Sequence, residues 1–139
     1  EATHRALSLA EIVDVPIVIV HVSNREAMEE IARARKRGVK VTGETCPQYL
    51  MLTEGDLDRD GWDGAKFVCS PPPRDEGSKA ACWEGIGHGI FDLYSSDHCP
   101  FRFDDPEGKL NPKGQKASAG FRTVSQAWKP ACRSCFPKA

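Results

Sequence analysis

The feature that most constrains the fold is an alternation of short apolar runs with longer amphipathic segments. Residues 17–20 form a wholly aliphatic run, which is typical of a parallel strand buried on both faces. Helical periodicity precedes this run over residues 1–13 and follows it to about Arg37, with Ser23 or Asn24 as the candidate N-cap. Strands and helices that alternate in this way predict an α/β fold with a parallel sheet and crossover helices.

The alternation continues along the chain. It predicts a strand beginning at 39–42, a helix start at 53–56, a strand at 65–69, a helix over 75–85 and a strand at 90–94. Polar residues follow each predicted strand, in the segments 21–23, 43–49, 70–74 and 95–100. A barrel of such units collects its reactive side chains at this end of its strands. We therefore predict part of a TIM-like (β/α) barrel, with its candidate site residues in these four segments.

Charge and hydropathy argue against two classes of partner. Lys and Arg number 19 against 20 Asp and Glu, the formal net charge is −1, and no long basic block occurs, so neither nucleic acid nor an anionic membrane is expected. The longest apolar run, 15–22, contains Pro16 and His21 and falls short of the roughly 20 residues of a membrane helix. The opening residues have helical periodicity and lack the pattern of a signal peptide. The chain is therefore expected to begin inside a domain.

The six cysteines favour a reducing compartment. Four of them stand singly, at positions 46, 69, 82 and 99. This usage is typical of a cytosolic protein, and we predict a cytoplasmic location. Cys132 and Cys135 form a CxxC pair, but a structural zinc site needs two further ligands at suitable spacing. The sequence offers none, so this pair is not assigned a metal.

His21 and Ser70 are two candidate site residues. His21 ends the aliphatic run, where burial of a neutral imidazole is costly unless its nitrogens are hydrogen-bonded or bound to a metal. The residues alone leave open both a satisfied structural histidine and a metal ligand. Ser70 precedes three prolines and could hold a substrate amide or belong to a rigid turn. Glu44 and Tyr49 are interpreted as structural residues.

Asp97 is the third candidate. It follows the predicted strand at 90–94, where a carboxylate could bind a metal, move a proton, or cap a loop or helix. His98 is its neighbour, and adjacent residues of a strand point to opposite faces, so only one of the two can face a pocket if the strand persists. We favour Asp97.

Four motifs, in order, resemble those of the dihydropyrimidinase and D-hydantoinase family. They are the segments 19–23, 43–50, 66–72 and 96–101. The strings Gly-Glu-Thr-Cys-Pro-Gln-Tyr-Leu and Asp-His-Cys-Pro-Phe within them are the most specific. The resemblance covers residues 1 to about 116. It implies an amidohydrolase barrel with two bridged divalent metal ions, usually zinc, that opens dihydropyrimidine or hydantoin rings to N-carbamoyl amino acids.

The resemblance also implies roles for the three candidates. His21 is then a metal ligand, Asp97 binds metal and shuttles the proton, and Ser70 contacts the amide of a small cyclic substrate. A homotetramer and a part in pyrimidine catabolism are implied as well. The sequence has no counterpart of the family's His-x-His pair, its carboxylated lysine or a further histidine, so the chain is expected to be inactive alone. Alternatives are a non-catalytic binding or assembly module of this fold and an allantoinase or dihydroorotase.

The last 23 residues depart from the family pattern. Residues 117–139 lack strand or helix rhythm where the family carries a Pro-Asn-Gly-Ile-Pro-Gly substrate loop. Codons compatible with this tail, when read one base out of register, permit Pro-Asn-Gly-Ile-Pro-Gly-Val-Glu-Thr-Arg, which resembles the family segment. We hypothesise a frameshift near Lys116, which divides the chain into a partial barrel at 1–116 and a disordered tail at 117–139.

Overall fold

Helices and strands alternate along the chain in a computed structural model that describes residues 1–61 and 63–97. The α-helices are α1 (Ala2–Val13), α2 (Arg25–Lys36), α3 (Pro47–Met51) and α4 (Glu76–Gly87). The strands are β1 (Ile17–Ile19), β2 (Val41–Thr45) and β3 (Leu93–Tyr94). Two 3₁₀ helices, Glu54–Asp56 and Asp63–Phe67, lie between α3 and α4.

Side-chain caps explain where two of the helices begin. Asn24 accepts a hydrogen bond from the Ala27 N–H at 3.2 Å and caps α2, while Asp75 accepts one from the Ser78 N–H at 2.7 Å and caps α4. Gly38, at φ +94°, supplies the left-handed backbone that follows α2. The helices predicted from the sequence before and after the apolar run and over 75–85 are confirmed.

The three strands form one parallel sheet, as predicted, and their order in the sheet is β1-β2-β3. Ile17 of β1 lies opposite Val41 of β2, and Ile19 lies opposite Gly43. Glu44 of β2 lies opposite Leu93 of β3. Because parallel strands end at the same edge of a sheet, residues that follow β1, β2 and β3 are brought together there.

The core lies between this sheet and the helices α1, α2 and α4. Leu7, Ile31, Ala34 and Ala81 are each at most 1% exposed. Burial of a leucine or isoleucine side chain contributes about 1.5–3 kcal/mol. Within residues 1–61 and 63–97, no helix combines the length and apolar character needed to cross a membrane.

Two sequence expectations about strands are wrong. Residues 65–69 do not form a strand: Asp63–Phe67 is a 3₁₀ helix, and the Val68 N–H closes a turn onto the Ala65 carbonyl at 3.4 Å. The aliphatic run of β1 is not buried on both faces, because the helices in the described part of the chain cover one face of the sheet. Ile17 and Ile19, on the covered face, are partly buried. Val18 and Val20, on the other face, are each 52% exposed.

The short helix α3 was not expected, and it changes the surroundings of β2. Pro47 occupies its first turn, where a missing N–H costs no helical hydrogen bond. Its residues Tyr49 and Leu50 are each 2% exposed and pack with Cys46, Cys69 and Cys82 in a second buried cluster. This cluster joins β2 to α4 and to the segment that contains Ser70.

Candidate active site

His21 lies just past the end of β1, at the edge where the three strands end. Its φ of +56° falls in the left-handed region that residues other than glycine seldom occupy. The His21 N–H donates to Glu44 Oε2 at 3.3 Å, and its ring Nδ1 lies 3.9 Å from the same oxygen. Nδ1 also lies 3.4 Å from Cys46 Sγ. The imidazole is therefore held against the end of β2.

Glu44 and Cys46 reach His21 because alternate residues of an extended chain share a face. The pairing of Ile19 with Gly43 places His21 level with the residue between these two donors. Glu44 is 8% exposed and Cys46 is fully buried. The ligand atoms of His21, Glu44 and Cys46 all lie within 4.8 Å of one another. Three chemically different donors thus converge at the sheet edge.

The protonation of Cys46 follows from its burial. Desolvation raises the pKa of its thiol to about 12, and the charges of Glu44 and Asp97 act in the same direction. Cys46 is therefore a neutral thiol at neutral pH in the absence of a cation. Its Sγ lies 3.7 Å from the Oγ of Ser95, which follows β3. The ends of all three strands are linked through this group of contacts.

Asp97 follows β3 by three residues and also has a left-handed backbone, with φ +44°. It is exposed. Its negative charge contributes to the raised pKa values of both Cys46 and Tyr49, although burial is the main cause of both. The Asp97 carboxylate therefore lies within electrostatic reach of the buried group beside His21.

The segment that holds Ser70 does not follow a strand, since residues 65–69 form none. Ser70 is exposed and is joined to Pro71 by a cis peptide bond. The carbonyl of Pro71 accepts a hydrogen bond from the buried Tyr49 hydroxyl at 3.1 Å, and burial raises the Tyr49 pKa. Pro71 lines one cleft together with His21. Tyr49 thus anchors the Ser70 segment beside the sheet edge.

All three candidates from the sequence lie towards this end of the sheet. His98 and the Cys132–Cys135 pair lie outside the described residues. Sequence reasoning missed Glu44 and Cys46 as partners of His21. The available signal was their Glu-x-Cys spacing at the end of a predicted strand, because that spacing puts two potential ligands on one face.

The donors at this edge suit a divalent cation. Imidazole nitrogen, carboxylate oxygen and thiolate sulfur are the three ligand types that proteins use for zinc. His21 offers the imidazole, and both Glu44 and Asp97 offer carboxylates. The residues present therefore fit the chemistry of a zinc-type ion.

Comparison with known proteins gives consistent matches. A D-hydantoinase of Ralstonia pickettii is 50% identical over 103 residues, 74% of this chain and 22% of the relative. A D-hydantoinase of Rhizobium radiobacter is 48% identical over 104 residues, 75% of this chain and 23% of the relative. The crystal structure of dihydropyrimidinase from Brevibacillus agri NCHU1002 superposes with a TM-score of 0.77 at 39% identity, covering 88% of this chain and 27% of that one. No protein-family model matches the sequence.

The parallel sheet with its flanking helices and the matches to solved structures define part of an amidohydrolase fold. The chain spans less than a quarter of the length of the curated D-hydantoinases it matches. Over the matched residues it belongs to the D-hydantoinase and dihydropyrimidinase family.

Proposed function

We propose that this chain supplies part of the active site of a hydrolase that opens cyclic amides, namely dihydropyrimidine or hydantoin rings, to N-carbamoyl amino acids. The position of His21 carries the proposal: it follows a parallel strand at the sheet edge, and Asp97 follows another strand of the same sheet. The names of the relatives, D-hydantoinase and dihydropyrimidinase, support the choice of substrate class.

In the proposed enzyme, His21 and Asp97 are ligands of two divalent metal ions, with zinc as the metal. When bound, such ions polarise the carbonyl of the substrate ring. The contacts of His21 Nδ1 with Glu44 and Cys46 fix the orientation of the imidazole. Groups that orient a ligating histidine in this way strengthen its binding to the metal.

Asp97 is the proposed proton carrier. Ring opening adds water to a carbonyl carbon, breaks the bond from that carbon to the ring nitrogen, and requires a proton on the departing nitrogen. An exposed carboxylate at the sheet edge can take the proton from the attacking water and deliver it to that nitrogen. In this route Asp97 accepts one proton and then releases it in each turnover.

Ser70 is the proposed contact to the substrate amide. Its hydroxyl can both donate and accept a hydrogen bond. The Tyr49 hydroxyl holds the neighbouring Pro71 carbonyl at 3.1 Å, which fixes the backbone that presents Ser70. A positioned contact of this kind lowers the entropic cost of holding the ring for reaction.

The test is a ring-opening assay with the product of the intact gene that encodes this chain, its reading frame restored. We expect hydrolysis of dihydrouracil, hydantoin or both. His21→Ala and Asp97→Asn should each lower kcat/KM by about 100-fold or more. Ser70→Ala should raise KM more than it lowers kcat. The 139-residue chain alone should show no turnover, because it supplies two proposed ligands, His21 and Asp97, for two ions, and a catalytic zinc usually has three protein ligands.

Matched substitutions separate these roles from general damage. Ser8→Ala removes an exposed hydroxyl of α1 that donates to the His4 carbonyl at 2.9 Å, and Asp58→Asn removes an exposed carboxylate. Both should retain the parent kcat/KM. Hydrolysis that is unchanged by Asp97→Asn, in a protein with a normal circular dichroism spectrum, would exclude Asp97 as the proton carrier.

Three further features belong to the same proposal. The enzyme acts in the cytoplasm, and it assembles as a homotetramer, which sedimentation of the full-length protein would test. A frameshift near Lys116 accounts for the composition of residues 117–139. Sequencing of the source DNA tests this last point, because the alternate frame must spell the Pro-Asn-Gly-Ile-Pro-Gly segment.

A further inference from the structure

The geometry points to a second kind of metal site, in which His21, Glu44 and Cys46 together bind one borderline or soft divalent cation, such as Zn²⁺ or Cd²⁺. The ligands are His21 Nδ1, Cys46 Sγ and the Glu44 carboxylate. Glu44 and Cys46 have no ligand role in the function proposed above. The inference therefore goes beyond that function and does not depend on ring opening.

The spacing of the nitrogen and sulfur donors matches the size of a zinc ion. Bonds of about 2.3 Å to sulfur and about 2.0–2.1 Å to nitrogen, at tetrahedral angles, place these two atoms roughly 3.5 Å apart. Nδ1 of His21 and Sγ of Cys46 lie 3.4 Å apart. Nitrogen and carboxylate oxygen ligands should lie roughly 3.3–3.5 Å apart, and the observed distance from Nδ1 to Glu44 Oε2 is 3.9 Å. A small rotation of the carboxylate closes the site.

Burial gives a second, independent reason for a cation. Glu44 is 8% exposed, and the partners that the structure shows for its Oε2 are the backbone N–H and ring Nδ1 of His21. Buried carboxylates are normally paired with a positive charge or bound to a metal. A cation between Glu44 and Cys46 supplies that charge.

The charges balance when the cation binds. The Cys46 Sγ–H bond breaks, its proton leaves to solvent, and sulfur donates its electron pair to the metal. One thiolate and one carboxylate then neutralise a divalent ion, so the buried site carries no net charge. Softness favours the same class of ion, because thiolate prefers Zn²⁺ and Cd²⁺ to Mg²⁺ or Ca²⁺. With Nδ1 bound to this cation, His21 Nε2 carries the ring proton. The site therefore forms in place of the Nδ1 contacts that orient His21 in the function proposed above.

The test is a titration of the full chain with Co²⁺, a spectroscopic probe for zinc sites, and with Cd²⁺. Cys99, Cys132 and Cys135 are replaced by serine in this parent protein so that their thiols cannot contribute. We expect one equivalent to bind with a thiolate-to-metal charge-transfer band in the ultraviolet. Cys46→Ser should abolish the band.

Matched variants assign the other two ligands. His21→Ala and Glu44→Gln should each weaken Co²⁺ binding by at least about 10-fold. Cys82→Ser, which removes another fully buried thiol, should leave both the band and the affinity unchanged. The absence of a band in the parent protein, or a band that survives Cys46→Ser, would overturn the inference.

A measurement without substitutions covers the case in which a variant fails to fold. The original chain is treated with iodoacetamide in urea below its unfolding midpoint, with and without Zn²⁺, and alkylation is mapped by mass spectrometry. Zn²⁺ should slow alkylation of Cys46 at least 10-fold, because a cation that binds the folded chain lowers the population in which the thiol is open to reagent. Mg²⁺, which thiolate ligands do not favour, should not slow it. Alkylation of Cys46 at the same rate with and without Zn²⁺ would contradict the site. If the repaired enzyme opens rings but Zn²⁺ does not protect Cys46, this metal site is excluded and the proposed function stands. If Zn²⁺ protects Cys46 but the repaired enzyme opens no ring, the proposed function is excluded and this metal site stands.

Discussion

Replacement of Gly43 by alanine tests how tightly β2 is held against its neighbours. A Cβ at this position would lie 2.9 Å from the Ile90 carbonyl oxygen and 3.4 Å from Ile31 Cδ1. The Gly43 N–H donates to Asp92 Oδ2 at 2.9 Å, and the Gly43 carbonyl accepts from the Asp92 N–H at 2.9 Å. The backbone cannot move away from Ile90 without stretching these hydrogen bonds.

The expected loss follows from these contacts. Overpacking in a close-packed interior costs about 1–3 kcal/mol, and a weakened hydrogen bond adds about 1 kcal/mol. Gly43→Ala should therefore lower the free energy of unfolding by about 2–4 kcal/mol. In a domain of this size, 1 kcal/mol corresponds to a change in Tm of about 4–8 °C. A fall in Tm of about 10 °C or more is expected.

Urea unfolding followed by circular dichroism measures the effect, with Gly87→Ala as the control. Gly87 lies in α4, and no atom lies within 4 Å of the position of its Cβ. Alanine should stabilise that helix by about 0.5–1 kcal/mol. The two substitutions are therefore expected to move the midpoint in opposite directions. A Gly43→Ala protein that unfolds at the parent urea concentration would refute the close contact with Ile90.

Three further predictions concern caps and titrating groups. Asn24→Ala should cost about 1 kcal/mol in urea unfolding, because the Ala27 N–H loses its acceptor, whereas Asn24→Asp should be nearly neutral. Because burial raises the pKa of the Cys46 thiol to about 12, roughly one molecule in 10⁵ carries the thiolate at pH 7, against a few per cent in the unfolded chain. Iodoacetamide should therefore label Cys46 over 1000-fold faster in urea. Labelling of the folded chain should rise about tenfold per pH unit. The hydrogen bond from the Ser78 N–H lowers the pKa of the Asp75 carboxyl. This carboxylate therefore stabilises the fold above the unfolded pKa of about 3.9, and the stabilisation is lost as pH falls through the lower folded pKa. The urea midpoint of Asp75→Asn should lack this acid-dependent loss.

The regular parts of the fold could be predicted because they depend on local chemistry. The aliphatic run, the cap at Asn24 and the helical stripe that includes Ile31 each signal their element directly. Residues 65–69 gave a misleading signal, since a short apolar run has too few residues for its periodicity to distinguish a strand from a buried turn. The exposure of one face of β1, which carries Val18, depends on which elements cover the sheet. No local sequence pattern predicts which face is covered.

The candidate site likewise has a part that local sequence predicts and a part that depends on long-range packing. His21, Ser70 and Asp97 were predicted as site residues because their motifs follow apolar runs. The contact of Glu44 with His21 was missed because it depends on strand register: the pairing of Ile19 with Gly43 brings Glu44 to His21. Register comes from long-range packing, so side chains that meet across strands are hard to identify from one sequence.

Backbone strain gives an argument for the two proposed metal ligands that does not depend on the motifs. Among the residues that the structure describes, the non-glycine residues with positive φ are Asp14, His21 and Asp97. Asp14 ends α1, where a left-handed residue is a common terminator. His21 and Asp97 instead follow β1 and β3, and each such conformation costs about 1–3 kcal/mol. Strain of this size persists where the surroundings fix the backbone, and it is concentrated at active sites. The positive φ angles that follow the strands therefore fall on the same two side chains that we propose as metal ligands.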